Sequence, residues 1–341
     1  MDAVQFPCRV WILGGLLLGC GALPDGDDNV RVNVEFGDDP APEELMAQGH
    51  RLLKLGEHAT AQNAFLGAAS AAAERKDSAT LAEALAESAA GSARAGEVQQ
   101  AEKLLQAAEA CEVAHDSRAW IRVLATRGYL LYLSGNEEGA AWAYEEAFSI
   151  ATESGQFGQA LASAHRLAVW SPPEQRSDWA REGILLARAQ GELRWEARLE
   201  GVLGLSLERS GRTAESLQAQ LRSRRLHYAS GGDIDRLRAD WVVGRAYRVD
   251  GRPQAALEWM SNVLGRAELR FAAKQDSESK VWVALAQREL ALIEQSLGHE
   301  DLARMYERRA DELLNPTGTF ERLALNPRSW FQGLADWADG L

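Results

Sequence analysis

Apolar residues recur every three or four positions through residues 124–147, on both sides of Gly135. This spacing is typical of one face of an α-helix, so the stretch predicts two amphipathic helices. Glycine favours the backbone conformation that ends a helix, which places a turn at Gly135 and makes the two helices a hairpin. The small residues Gly128 and Ala140 would let the two backbones approach closely, and Tyr144 would fill the space between them.

The hairpin pattern recurs along most of the chain. Its turn residue can be placed at positions 56, 96, 135, 171, 211, 251 and 298, which are separated by 40, 39, 36, 40, 40 and 47 residues. A pattern that repeats in this way predicts stacked helical units, each packed only against its neighbours. The fourth unit is irregular, because Pro172 and Pro173 interrupt the helical pattern. Its second helix fits the repeat only if the turn is four residues longer.

Small residues, large apolar residues and the turn glycine follow one order in these units. In the third unit they are Gly128, Leu131, Gly135, Ala140, Tyr144 and Ala147. This order resembles the tetratricopeptide repeat (TPR) family over about residues 42–314. The resemblance implies an all-α fold, a right-handed α-solenoid of about seven TPR-like helical hairpins. The family has a standard period of about 34 residues, so the longer spacing predicts longer helices or longer loops.

Residues 315–341 form a separate tail after the repeats. Four apolar side chains recur there at helical spacing, which predicts an amphipathic helix: Trp330, Phe331, Leu334 and Trp337. Because the end of a repeat array needs a polar outer face, we expect this helix to cap the repeat domain. Docking of a partner protein is the alternative role for it.

The first 19 residues have the features of a bacterial signal peptide. The apolar run of residues 10–18 is too short to span a bilayer, which needs about 20 residues, and it fits the hydrophobic region of a secretory signal. Residues Leu17, Leu18, Gly19 and Cys20 resemble the lipobox, which implies cleavage before Cys20 and lipidation of Cys20. Gly21, where some sorting signals have Asp, favours the outer membrane, facing the periplasm. A plain signal peptide, or an apolar segment packed on the repeats, is the alternative.

Residues 20–41 are expected to form a flexible acidic tether. Residues 21–41 contain six acidic residues and one basic residue, a net charge of −5, together with Gly and Pro. Within the tether, residues 30–36 alternate between apolar and polar, which is the periodicity of a strand. This part either lies extended on the first repeat or pairs with the sheet edge of a partner.

The chain of 341 residues has a net charge of −13 and no dominant basic stripe, so we do not expect it to bind nucleic acid. It has no phosphate-binding glycine loop, no metalloprotease motif and no nucleophile elbow. Cys111 and His115 supply only two metal ligands, which do not close a zinc site. The sequence therefore predicts neither an enzyme nor a cofactor or metal, and Cys111 is expected to be a small buried residue on its helix.

The candidate binding site lies in the sixth unit. The TPR resemblance implies that the first helix of each hairpin lines the concave face, and the residues at those positions here are Arg238, Trp241, Arg245 and Arg248. Arginine binds carboxylates in a bidentate manner and tryptophan provides a rigid apolar surface. We therefore expect one exposed patch that binds an acidic or C-terminal peptide segment. Other units add Arg288, Arg122, Tyr129 and Tyr132. The alternative is that these arginines pair with acids of neighbouring helices and that Trp241 packs between units.

For function, the TPR resemblance implies a module that binds protein or peptide partners. Together with the lipobox, it implies a membrane-anchored scaffold that faces the periplasm and serves an envelope assembly, such as barrel, pilus, secretion or peptidoglycan machinery. A module that senses a peptide or a small ligand is the alternative. Neither the residues nor the resemblance identifies the partner.

Overall fold

The computed structural model describes residues 40–314, and every regular element in this range is an α-helix. The helices are α1 (Pro42–Lys54), α2 (His58–Arg75), α3 (Ser78–Arg94), α4 (Val98–Glu109), α5 (Arg118–Leu133), α6 (Glu137–Glu153), α7 (Phe157–Trp170), α8 (Pro173–Gln190), α9 (Leu193–Arg209), α10 (Thr213–Ser230), α11 (Asp233–Val249), α12 (Pro253–Lys274), α13 (Ser277–Ser296) and α14 (Glu300–Leu314). The predicted all-α fold is confirmed. The lipobox, the tether of residues 20–39 and the tail of residues 315–341 lie outside the described residues.

The helices form consecutive hairpins, and the odd-numbered helices are the first helices of these hairpins. Within the third hairpin, a Cβ atom on Gly128 would lie 2.7 Å from Cε2 of Tyr144. In the sixth hairpin, a Cβ atom on Gly244 of α11 would lie 2.9 Å from Cε of Met260 on α12. Because real Cβ atoms do not approach this closely, the small residue is what permits the packing of the hairpin. The predicted close approach in the third hairpin is confirmed.

The predicted turn glycines adopt the left-handed conformation. Gly135 has a φ of +83°, and the backbone N–H of Asn136 donates back to the carbonyl of Leu131 at 2.9 Å. The side chain of Asn136 then accepts from the backbone N–H of Gly139 at 2.9 Å, which caps the start of α6. Positive φ values also occur at the other predicted glycine turns, residues 56, 96, 211, 251 and 298. Glycine adopts this conformation without the steric cost that other residues have.

The fourth hairpin differs from the predicted one. The expected turn, four residues longer after Ser171, is not found, because α8 begins at Pro173 and only two residues separate it from the end of α7 at Trp170. The extra residues therefore form one more turn of helix, because Pro is well accommodated in the first turn, where the backbone N–H has no partner in the helix. Gly183 of α8 packs on Ala164 of α7, with 3.1 Å between a Cβ built on Gly183 and the Cβ of Ala164.

The chain divides into two compact units, and the boundary lies between Ser163 and Ala164. In the first unit the core consists mostly of Ala and Leu side chains, among them Leu85 and Leu124, each 0% exposed. The second unit has a large apolar cluster around Met260, Leu290 and Ile293. It also contains most of the buried ionisable groups in the described range: His165, Glu200, His227, Asp240, Glu289 and Glu294. No helix between residues 40 and 314 combines the length and the apolar character needed to cross a membrane.

Candidate functional site

Trp241 does not form part of an exposed patch, so that expectation is wrong. Its side chain is only 5% exposed and lies in the apolar cluster of the second unit. The ring of Trp282 on α13 meets it edge to face, with 6.3 Å between the ring centroids. The physical reason is that the next hairpin covers this position, so that Trp241 packs between two hairpins rather than facing solvent.

Arg245 and Arg248 connect neighbouring first helices. Arg245 on α11 makes two hydrogen bonds to the carboxylate of Glu208 on α9, at 2.5 and 2.8 Å. Arg248 pairs with Glu289 on α13. The two arginine side chains are 25% and 23% exposed, so each guanidinium is partly desolvated and already has a carboxylate. Their predicted binding of a peptide remains a prediction, and each arginine is held in place by the acid that it contacts.

The other predicted site residues lie in different surroundings. Arg122 on α5 pairs with Glu87 on α3 at 3.0 Å, and Arg288 pairs with Asp311 on α14 at 3.2 Å. Tyr129 is buried, at 8% exposure, and Tyr132 is half-buried. The residues of the first unit and those of the second are therefore two separate sets, and each keeps its binding role as a prediction.

Arg238 lies in the second turn of α11 and differs from the rest of the predicted stripe. Its side chain is only 13% exposed, and its guanidinium pairs with Asp235 at 2.9 Å, one turn earlier on the same helix. Burial lowers the pKa of Arg238 to about 10, against the opposing effect of Asp235. Arg198 on α9 contributes to this lowering as a neighbouring positive charge. The negative charge of Asp235 therefore opposes the effect of burial on the pKa of two arginines, Arg198 and Arg238, which lie on adjacent first helices and are partly shielded from water.

The surroundings of these arginines include aromatic and imidazole groups. The guanidinium carbon of Arg198 lies over the ring of Trp195, 5.1 Å from the centroid. Trp195 meets the ring of His165 edge to face, with 6.1 Å between the centroids. Burial is the largest cause that lowers the pKa of His165 to about 3 and that of His227 to about 4, and both Arg198 and Arg238 contribute. We call Trp195, Arg198, Asp235 and Arg238, with His165 and His227, the cationic cluster.

Reasoning from the sequence overlooked Arg198, although a signal for it was present. Arg198 precedes Gly204 by six residues, as Arg238 precedes Gly244, so the two arginines occupy one position of successive repeats. The rule that identified Arg238 as a site residue also applies to Arg198. The two histidines carried no such signal, because a lone histidine in a helix is as consistent with the core as with a surface.

Two carboxylates of the second unit are buried between arginines of the second helices. Each carboxylate is 2% exposed and lies on a first helix. Glu200 pairs with Arg188 and with Arg222, at 2.9 Å in each case. Asp240 pairs with Arg224 at 2.5 Å and also with Arg266. Tyr228 also donates its hydroxyl hydrogen to Asp240, at 2.5 Å. Because each acid faces two cations, these sets hold three neighbouring helices together.

Cys111 lies beyond the end of α4 rather than on the helix, and it is half-buried. Its Sγ–H contacts the carbonyl oxygen of Ala107 at 3.4 Å, and burial raises the pKa of the thiol. The expected place of Cys111 on its helix is therefore wrong, because α4 already ends at Glu109, two residues before the cysteine. Across residues 40–314, no three His, Cys, Asp or Glu side chains form a group that could hold a metal ion.

No protein-family model and no curated protein matches the chain. Solved structures share its fold. The apo form of RapI has a TM-score of 0.61 at 10% identity, and the match covers 86% of this chain and 85% of RapI. A Rap protein complexed with competence and sporulation factor has a TM-score of 0.51 at 11% identity, with coverages of 80% and 77%. A STAND signal transduction ATPase with a tetratricopeptide repeat sensor, from Pyrococcus horikoshii, has a TM-score of 0.55 at 11% identity, with coverages of 88% and 47%. At these identities the likeness shows the fold alone, which is a helical solenoid of the TPR type.

Proposed function

We propose that the chain is a TPR-like scaffold whose first helices bind a segment of a partner protein. The observation that supports this most directly is the set of ion pairs between successive first helices. In the first unit they are Arg118 with Glu83 and Arg122 with Glu87, and in the second unit Arg245 with Glu208 and Arg248 with Glu289. Such pairs hold charged side chains in fixed positions before a partner arrives. A surface that is ordered in advance loses less conformational entropy on binding.

The proposal includes a membrane anchor through lipidated Cys20 and a position at the outer membrane, facing the periplasm. It is supported by the order Leu17, Leu18, Gly19 and Cys20 after an apolar run of nine residues. The partner would then be a component of an envelope assembly. Replacement of Cys20 by Ala is expected to abolish labelling by a palmitate analogue in cells. Unchanged labelling of that variant would exclude this anchor.

The scaffold role can be tested by affinity capture of the full chain from detergent-solubilised envelope after mild cross-linking. We expect a partner protein in stoichiometric amount with the wild-type chain. The double variant Arg122→Gln/Arg288→Gln should lose it, because these predicted site residues lie on first helices and are about one-third exposed. The matched control is Arg181→Gln on the second helix α8, whose arginine pairs with exposed Asp178. Equal capture by both variants would argue against a binding face on the first helices.

A sensing module is the second candidate function. Two of the structural neighbours favour it: one is a Rap protein complexed with competence and sporulation factor, and another has a tetratricopeptide repeat sensor. A sensor should change its compactness when a small peptide or ligand binds, which small-angle scattering measures. A scaffold should keep its dimensions and retain the partner through size-exclusion chromatography.

A further inference from the structure

The positive charge of Arg198 has no carboxylate close to it among the described residues. Its half-buried side chain lies over the ring of Trp195, and no Asp or Glu oxygen in the described range lies within 4 Å of the guanidinium. Burial lowers the pKa of this guanidinium, with the distant Asp235 opposing that effect. By contrast, the arginines of the second unit that tie helices together reach acids within hydrogen-bonding distance, as Arg245 does.

The charges that act on Arg198 do not neutralise it. Asp235 is the carboxylate that acts on it within the described range, and this acid is already paired with Arg238 at 2.9 Å. Arg194 adds a second positive charge nearby, which further disfavours the guanidinium. His165 and His227 add no charge at neutral pH, because burial keeps both imidazoles neutral. The positive charge of Arg198 is therefore left without a carboxylate of its own.

An uncompensated positive charge in a partly dehydrated place costs free energy unless an anion approaches it. The ring of Trp195 compensates only in part, because a cation over an aromatic face gains less than a cation paired with a carboxylate. A guanidinium whose face lies on an indole keeps its N–H groups along its edge available, in the fork geometry that fits a carboxylate. The arrangement therefore has the charge and the donors for one more carboxylate.

We propose that Arg198, with Arg238 beside it, binds a carboxylate group of the partner protein. This inference rests on the proposed scaffold function and specifies the chemistry that its second unit recognises. A carboxylate has two oxygens in one plane, which the N–H groups along the edge of the Arg198 guanidinium can bind in a bidentate manner. Trp195 forms an apolar wall beside the bound group. In the proposed scaffold, this carboxylate would be an acidic side chain of the segment that the first helices bind.

The test measures thermal unfolding of the full chain in detergent as a function of peptide concentration. The probe is acetyl-Gly-Glu-Gly-Asp-Gly-amide, and its control is the same peptide with Gln and Asn in place of the two acids. A ligand that binds the folded state raises the melting temperature with concentration. We expect the acidic peptide to do so for the wild-type chain and for Arg181→Gln. For Arg198→Gln, we expect the apparent Kd to rise about tenfold or more.

A second measurement separates binding from a structural role. Without peptide, Arg198→Gln should melt at the same temperature as the wild-type chain or at a higher one, because it removes an uncompensated charge. A lower melting temperature, or equal peptide affinity in Arg198→Gln and the wild type, would overturn the proposal. So would a shift by inorganic phosphate that equals the shift by the peptide. A capture experiment that finds no partner would instead count against the scaffold function, so the two failures are distinguishable.

Discussion

The two buried histidines of the second unit should make its stability depend on acidity. Burial lowers the pKa of His165 to about 3 and that of His227 to about 4, from the ordinary histidine value of 6.5. The unfolded chain therefore takes up protons at a higher pH than the folded chain does. The stability that these two neutral histidines contribute is fully present above about pH 6.5. It decreases as the pH falls below that value, down to about pH 4 for His227 and about pH 3 for His165.

The size of the effect follows from the linkage of proton binding and folding. Between pH 7 and pH 5 each histidine is expected to lower the free energy of unfolding by about 2 kcal/mol, or about 4 kcal/mol for the pair. The interval ends at pH 5 because ordinary carboxylates remain mostly ionised there. The variant His165→Gln should lose about 2 kcal/mol less stability across this interval than the wild-type chain does.

The assay is urea unfolding followed by far-UV dichroism at the two pH values. The useful quantity is the difference in free energy of unfolding between pH 7 and pH 5, because the cost of the substitution itself cancels in it. The control variant is His58→Gln, which removes an exposed histidine from the first unit. If His165→Gln and the wild type show the same loss, the assignment of His165 as a buried neutral group is refuted.

Two further substitutions test the packing. Gly128→Ala should destabilise the third hairpin by about 1–3 kcal/mol, because the added Cβ would collide with Tyr144. Gly265→Ala should instead stabilise α12 by up to about 1 kcal/mol, because a Cβ there meets nothing within 4 Å. Urea titration measures the free energy of unfolding of both variants. Asp240→Asn should cost about 3–5 kcal/mol because it leaves two arginines without a counter-charge. Exposed Asp178→Asn should cost less than about 0.5 kcal/mol in the same thermal melts, and equal melting temperatures would contradict the buried role.

The hairpins could be predicted from the sequence because their signals are local. A turn glycine, a small residue such as Gly128 and a large partner such as Tyr144 lie within about 20 residues of one another. The fourth hairpin was misjudged for a local reason as well. The pair Pro172 and Pro173 signals a break, but Pro also fits the first turn of a helix, and only the structure distinguishes a long turn from a long helix.

The candidate site was harder to predict, because exposure depends on the neighbouring hairpin. Trp241 and Arg245 belong to one helical stripe, yet Trp282 covers the first and leaves the second partly exposed. A periodicity along one helix does not contain that information. Arg198 could have been found by comparing repeats, whereas the pairing of Arg245 with Glu208 depends on side chains 37 residues apart.

The buried acids Glu200 and Asp240 also restrict which hairpins of the array could be exchanged for one another. Four residues before the small residue of the first helix, the first unit has Leu45, Leu85 and Leu124, whereas the second has Glu200 and Asp240. A hairpin with leucine at this position could not replace one with Asp240, because two arginines would then face an apolar side chain. A hairpin of the second unit placed among leucines would bury an acid with no cation. Charge therefore restricts the order of hairpins in the second unit, and a shuffled array would fail at this position even if every apolar surface still fitted.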